Sequence, residues 1–140
     1  MVDNEELIEE LESEIENDNE ENDTTVVNVK VAFIRPEYDN LEEWMNDHNN
    51  VYIGRGSIVF INNERFPKKD SVWANTFKID RDGTREEVIK KYEIKIREKI
   101  KKRELNIEEL RGKNLGCWCK PEQCHGDVLL KILSEMIKKN

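Results

Sequence analysis

No stretch of the sequence approaches the roughly 20 consecutive apolar residues that a helix needs to cross a bilayer. Its start lacks the basic segment and apolar run of a secretory leader, since residues 1–23 are acidic and polar. The expectation is an intracellular protein with no membrane among its partners. Lysine and arginine are missing from residues 1–23 altogether, although the chain holds 23 of them, and 12 of its 31 acids fall there. The net charge of −8 therefore divides into a strongly acidic tail and a body of about +4. Cysteine is scarce too. An odd count of three, crowded into Cys117, Cys119 and Cys124, closes no long loop by any pairing, so a disulfide framework gives way to free or metal-bound thiols in a reducing compartment. No internal repeat is present, and 140 residues suit one core rather than two.

What is there divides into an acidic N-terminal tail, residues 1–24, and a single domain over 25–140. In the tail, Leu7, Ile8, Leu11 and Ile15 fall at helical spacing behind Asp3 or Asn4, and the following NDNEEND carries no apolar side chain. This composition predicts a flexible tail with a short amphipathic helix; the sharper reading is an internal competitor that folds onto a basic face of the body.

Residues 26–34, VVNVKVAFI, are rich in β-branched side chains and stop at Arg35-Pro36, which predicts one buried strand. Asp39-Asn40 can cap a short helix, LEEWMNDH, that turns Leu41, Trp44 and Met45 to one side, and His48 near its end reads as a solvated surface residue. A second strand, Val51 to Ile53, runs into Gly54-Arg55-Gly56. Glycines on either side let the backbone approach a ligand, and the arginine offers a planar fork of donors to phosphate or carboxylate; a plain turn with a solvent-facing arginine fits the three residues as well. Ser57 to Ile61 and Glu64 to Phe66 read as a hairpin about Asn62-Asn63. In the segment SVWANTFK, Trp73 and Phe77 are expected to anchor to the core. Asn75 between them either meets a base edge or sugar or bonds its own backbone in a turn.

Thr84 and Glu87 form a capping box before the longest predicted helix, residues 85–103, whose buried stripe is Val88, Ile89, Tyr92, Ile96 and Ile100. Its other faces are basic and lack the interleaved aromatics that stack on bases, so a solvated face is favoured over nucleic-acid binding. Asn106 caps a short helix to Leu110, Gly112 closes it, and Asn114 to Cys119 reads as a strand. The last helix presents Val128, Leu129, Ile132, Leu133, Met136 and Ile137. Strands alternating with helices predict an α/β domain of three-layer type, with a small, mainly parallel sheet flanked by helices.

All three cysteines and one of the two histidines lie within residues 113–127, KNLGCWCKPEQCHGD. Strand periodicity places Leu115, Cys117 and Cys119 on one face and Gly116 and Trp118 on the other, with Cys119 at the strand's carboxyl end. Parallel sheets bind ligands beyond those ends, near the following helix N-terminus, which brings in Cys124, His125, Gly126 and Asp127. Three readings stand side by side. Cys117, Cys119, Cys124 and His125 are a Cys₃His set that zinc accepts, although an extended Cys-x-Cys spreads its Cβ atoms by roughly 6 to 7 Å, unlike the usual tight pairs. Alternatively, Cys119, Cys124 and His125 carry chemistry in a pocket: a thiol with a lowered pKa as nucleophile, His125 as general acid or base, and Asp127 orienting it or capping the helix. Finally, Cys117 is a small core residue, His125 a satisfied cap and Trp118 packing.

The segments VYIGRG at 51–56, WANTF at 73–77, Arg85 with Tyr92, and LRGKNLGCWCKP…CHGDVL at 110–129 together resemble the domain-of-unknown-function family 4326, found in phages, large DNA viruses and bacteria. The resemblance spans about residues 26–135, and the cysteine segment is its most specific part. Two departures stand out: Asn75-Thr76-Phe77 replaces an Asn-Pro-Phe pattern, and Ser57 to Ser71 is longer than usual between the motifs. The family supplies no activity. It implies that the Gly-Arg-Gly, Trp-x-Asn-x-Phe and Cys-x-Cys…Cys-His elements belong to one signature and converge on one cleft. Together with the arginine and asparagine chemistry, its viral setting implies a nucleotide-like or nucleobase-like anionic small molecule as partner. Arg55 and the helix N-terminus at Asp127 would hold the anion, Gly54 and Gly56 would shape the loop, and Asn75 would read a polar edge. The implied location is the cytoplasm, that of an infected cell included. The alternative is a zinc-stabilised interaction module that binds nucleic acid through helix 85–103.

Overall fold

The computed structural model describes residues 23–139, with side chains through Met136. The predicted tail helix, the competitor role of the tail and the Ile137 side chain therefore lie outside the described residues. Among the described residues five strands are formed, β1 Thr25–Asn28, β2 Asn50–Tyr52, β3 Val59–Ile61, β4 Glu64–Phe66 and β5 Asn114–Cys117. The helices are α1 Val31–Ile34, α2 Leu41–Asn46, α3 Arg85–Lys101 and α4 His125–Lys139, with a single tight turn at Ile107–Leu110.

The main sheet has the order β1-β5-β2 with both pairings parallel, so the last strand in sequence is the central one. Asn28 lies beside Cys117 and Tyr52 beside Gly116. Each face of the sheet is covered, as an all-parallel sheet requires. Val26, Val51, Leu115 and Cys117 pack with Ile89, Tyr92 and Ile96 of α3 and Leu129, Ile132 and Leu133 of α4. On the opposite face Val27, Val29 and Tyr52 meet Ile34, Leu41 and Trp44, with the β3–β4 hairpin extending the layer through Val59, Ile61 and Phe66. The fold is the expected α/β arrangement of helices about a small parallel sheet, with a two-stranded antiparallel sheet beside it. Leu115 and Leu129 are fully buried, and each such side chain contributes about 2 kcal/mol.

Local signals explain most boundaries. Asn40 Oδ1 accepts the Glu43 N–H at 2.9 Å and starts α2. At α3 both halves of the capping box are present, Thr84 with Glu87. Asn62 and Asn63 both take positive φ, 53° and 67°, the conformation a two-residue hairpin turn demands. Gly112, at φ 78°, turns the chain into β5.

Three strands are shorter than expected. β3 begins only at Val59, since Ser57 takes positive φ. β5 ends at Cys117, leaving Cys119 in the loop beyond it, where the Asn28 amide donates to the Trp118 and Lys120 carbonyls. The first strand ends at Asn28. The run 26–34 does not stay extended, because Asn28 Oδ1 accepts the Lys30 N–H while its amide donates to Lys120 O at 2.7 Å. That side chain substitutes for the next ladder rung, and the β-branched residues beyond it form the single turn α1. Helix α3 stops at Lys101, with Arg103 in a left-handed turn. Much of its basic surface is engaged within the protein: Arg97 pairs with Glu93 and Glu135, Lys102 with Glu98, Lys91 donates to Asp82 O, and Lys95 lies over the Phe77 ring. Among the described residues no helix is long and apolar enough to cross a membrane.

Candidate functional site

Strands β2 and β5 end side by side, and the chain leaving each turns over the same cleft of about 390 Å³. After β2, Ile53 is fully buried and its N–H bonds Gly116 O, so Gly54-Arg55-Gly56 begins at the rim. Tyr52 fastens this loop. Its hydroxyl donates to Arg55 O at 2.6 Å and accepts the Trp118 indole N–H at 2.7 Å, tying the Gly-Arg-Gly turn to the cysteine loop. Glycine is needed at 54 because a Cβ there would lie 2.5 Å from that hydroxyl, and at 56 because one would lie 2.6 Å from the Lys69 backbone. The Gly56 N–H donates to Asp70, so this amide is already satisfied. The Arg55 guanidinium, by contrast, lines the cleft with no hydrogen-bond or ion-pair partner among the described residues.

The Trp73–Phe77 segment forms a second wall. Trp73 is buried and its carbonyl accepts the Tyr92 hydroxyl at 2.7 Å, fixing the segment on α3. Phe77, expected in the core, is half-buried and lines the cleft instead, because Asn75 Oδ1 accepts its N–H in a tight turn. Asn75 also donates to Val88 O at 3.3 Å. The turn reading of this asparagine thus holds, yet its amide keeps one N–H and one lone pair for a ligand, and it too lines the cleft.

The floor comes from the cysteine segment. Cys117 at the end of β5 and Cys124 just before α4 are buried, with sulfurs 3.5 Å apart. Cys119 is half-buried and faces the cleft beside Trp118. Hydrogen bonding from Cys124 holds the Cys117 thiol well below its ordinary value; backbone N–H groups of Cys119 and Lys120 and the Lys120 charge act the same way, against burial. Cys124 is pushed up by the same bond and by burial, so the two thiols titrate as a pair.

His125 opens α4, buried at 8% exposure, with Nε2 2.7 Å from Ile53 O. That bond assigns the proton to Nε2 and leaves the lone pair on Nδ1. Burial pushes its pKa down, so the ring is neutral; Tyr92 packs edge-on against it at 5.0 Å. Asp127 accepts the Cys124 N–H at 3.1 Å and pairs with Lys120. It is therefore a helix cap, and its carboxylate already lies at the α4 N-terminus where an external anion was expected. Gly126 lets this first turn sit on β1, since a Cβ would lie 2.8 Å from Val26. Among the described residues no three His, Cys, Asp or Glu side chains are gathered so as to share an ion. Cys117 and Cys124 face each other, while the His125 Nε2 proton is committed to the Ile53 carbonyl.

Sequence reasoning missed Arg85, the first residue of α3, which reaches across to Gln123 O at 3.1 Å and lines the cleft. It also missed the apolar sides, Ile58, Ile79, Val88 and Ile89. Only the Arg85 with Tyr92 pairing marked α3 as part of the signature, since helix amphipathicity does not say which end meets a cleft.

A family model for a domain of unknown function, DUF4326, matches residues 38–135. The chain belongs to the DUF4326 family. The match takes in all the cleft's loops, while β1, which carries none of them, precedes it. This DUF4326 chain is also similar to an uncharacterised 12.4 kDa protein in the nrdA-td intergenic region of Enterobacteria phage T4, at 36% identity over 73 residues, 50% of this chain and 67% of the phage protein. No solved structure matches.

Proposed function

We propose that this cleft binds a small anionic molecule of nucleotide or nucleobase type, with Arg55 gripping the anion and the apolar walls holding a planar body. The observation that carries the reading is the Arg55 guanidinium, without a hydrogen-bond or ion-pair partner among the described residues, at the rim of an apolar cavity of about 390 Å³, at the small end of the range that ligand sites occupy. Support comes from three sides. Arg85 adds a second guanidinium. Phe77 and Trp118 supply aromatic surface for a flat ring. Asn75 retains a donor and an acceptor for a polar edge. Cys119, Cys124 and His125 are the groups available for any reaction on such a ligand, and His125 as a neutral imidazole is in the form that accepts a proton. Asp127 serves as their positioning residue through the Cys124 cap. The phage relative supports action inside an infected cell.

A thermal-shift titration with a panel of nucleoside monophosphates tests the reading. Wild-type protein is expected to melt higher as ligand rises, by mass action on the folded state. Arg55→Ala, which breaks no hydrogen bond or ion pair among the described residues, is expected to keep the unliganded melting temperature and bind about ten- to a hundredfold more weakly, the loss of a charge-assisted hydrogen bond. Unchanged affinity in Arg55→Ala, or no shift with any member of the panel, would remove the proposal.

A further inference from the structure

We propose that Cys117 and Cys124 form a reversible dithiol–disulfide centre in the floor of the cleft. This goes beyond ligand binding and does not depend on it. The two residues come from different elements, the end of β5 and the residue capping α4, and the fold delivers their sulfurs to 3.5 Å. A disulfide needs the sulfurs to close to about 2.05 Å, a movement of about 1.5 Å that side-chain rotation and the intervening loop can supply. Both thiols are buried, at 1% and 2% exposure, yet both line the cavity, so the cleft is the route by which a small oxidant meets them. Such a buried pair is ordinarily inert core sulfur. Here it differs, because the two sulfurs already face each other at 3.5 Å on the wall of an open cleft, and the Lys120 charge favours the thiolate at Cys117 while the Asp127 carboxylate disfavours it at Cys124. The asymmetry assigns roles: Cys117 attacks and Cys124 resolves.

With hydrogen peroxide as the oxidant the steps balance. The Cys117 thiolate attacks one peroxide oxygen; the S–O bond forms, the O–O bond breaks and hydroxide leaves, so sulfur is oxidised to sulfenic acid and peroxide is reduced. Cys124 sulfur then attacks Cys117 sulfur. The S–S bond forms, the S–O bond breaks, and the departing hydroxide takes the Cys124 proton as water. A dithiol restores the starting state by exchange. Cys119, half-buried on the cleft side, takes no part in the bond.

The test is peptide mapping of full-length protein titrated with hydrogen peroxide, alkylated, and cleaved after glutamate, which separates Cys124 from the other two thiols at Glu122. A Cys117–Cys124 linked pair that dithiothreitol reverses, with Cys119 still alkylated, is expected. Cys119→Ser should form the same link at the same peroxide dose. Cys124→Ser should instead accumulate a sulfenic acid at Cys117 that a cyclic diketone traps. Three thiols still free after treatment, a link that involves Cys119, or loss of the link in Cys119→Ser would each overturn the proposal.

Discussion

At the scale of single residues, His125 has the most to say about conditions. Its ring is neutral because burial penalises the charged form, while the unfolded chain returns it to an ordinary value near 6.5. The folded pKa is the lower of the two, so below about pH 6.5 the unfolded state binds more protons. The stability this residue contributes is then present above that pH and is lost as pH falls toward the folded value. Urea midpoints measured at about pH 7.5 and about pH 5.5 should therefore drop on acidification, and the drop should be smaller in His125→Gln. An equal drop in the variant would show that other groups govern the dependence. Cys124, His125 and Asp127 were legible as a group because a cap, a dipole and a cysteine cluster coincide in sequence. Which of them turns inward was not legible: the carbonyl that receives His125 belongs to Ile53, 72 positions away, and no local pattern carries that pairing.

At the scale of elements, β5 is the strand on which the fold closes, central in the sheet and paired on both sides. Gly116 makes this possible, since its missing side chain is where Trp44 of α2 lies; a Cβ would come within 2.4 Å of that ring and 2.6 Å of Val29. Both neighbours are buried and have nowhere to retreat. Gly116→Ala should therefore lower stability by about 2 kcal/mol, the usual cost of overpacking, read as a reduced urea midpoint with an unchanged slope. A midpoint equal to wild type would mean that α2 moves away at little cost. The alternation of Leu115, Gly116, Cys117 and Trp118 was readable from period two alone, and the two faces are as that period requires. The run 26–34 misled because β-branched composition speaks for extended backbone, while a single asparagine can end a strand by bonding the neighbouring loop. Propensity is a sum over residues, whereas termination is one local bond.

At the scale of the whole molecule, the Gly-Arg-Gly and cysteine loops meet because β2 and β5 are parallel and adjacent, so that their carboxyl ends open at one place, and the Trp73–Phe77 segment joins them through Tyr92 of α3. Parallel strands share that property whatever their sequence, and alternating strand and helix patterns are enough to invoke it for Arg55 and the cysteine segment. The same property does not say which helix closes the far side. Arg85 and the apolar wall of α3 follow from the tertiary packing of Tyr92 on the Trp73 carbonyl, a long-range bond with no sequence mark. The basic face of α3 offers a competing surface, although several of its charges are paired within the protein. The two surfaces are spatially distinct, and one titration separates them. In nitrogen-edited NMR spectra of the full chain with a nucleoside monophosphate added, the amides of Gly54, Asn75, Cys119 and His125 should shift together along one binding curve, and in Arg55→Ala the same peaks should need about ten- to a hundredfold more ligand to move as far. Shifts confined to the amides between Lys90 and Lys101, or cleft amides that follow unrelated curves, would contradict the central claim that these loops form one anion-binding site.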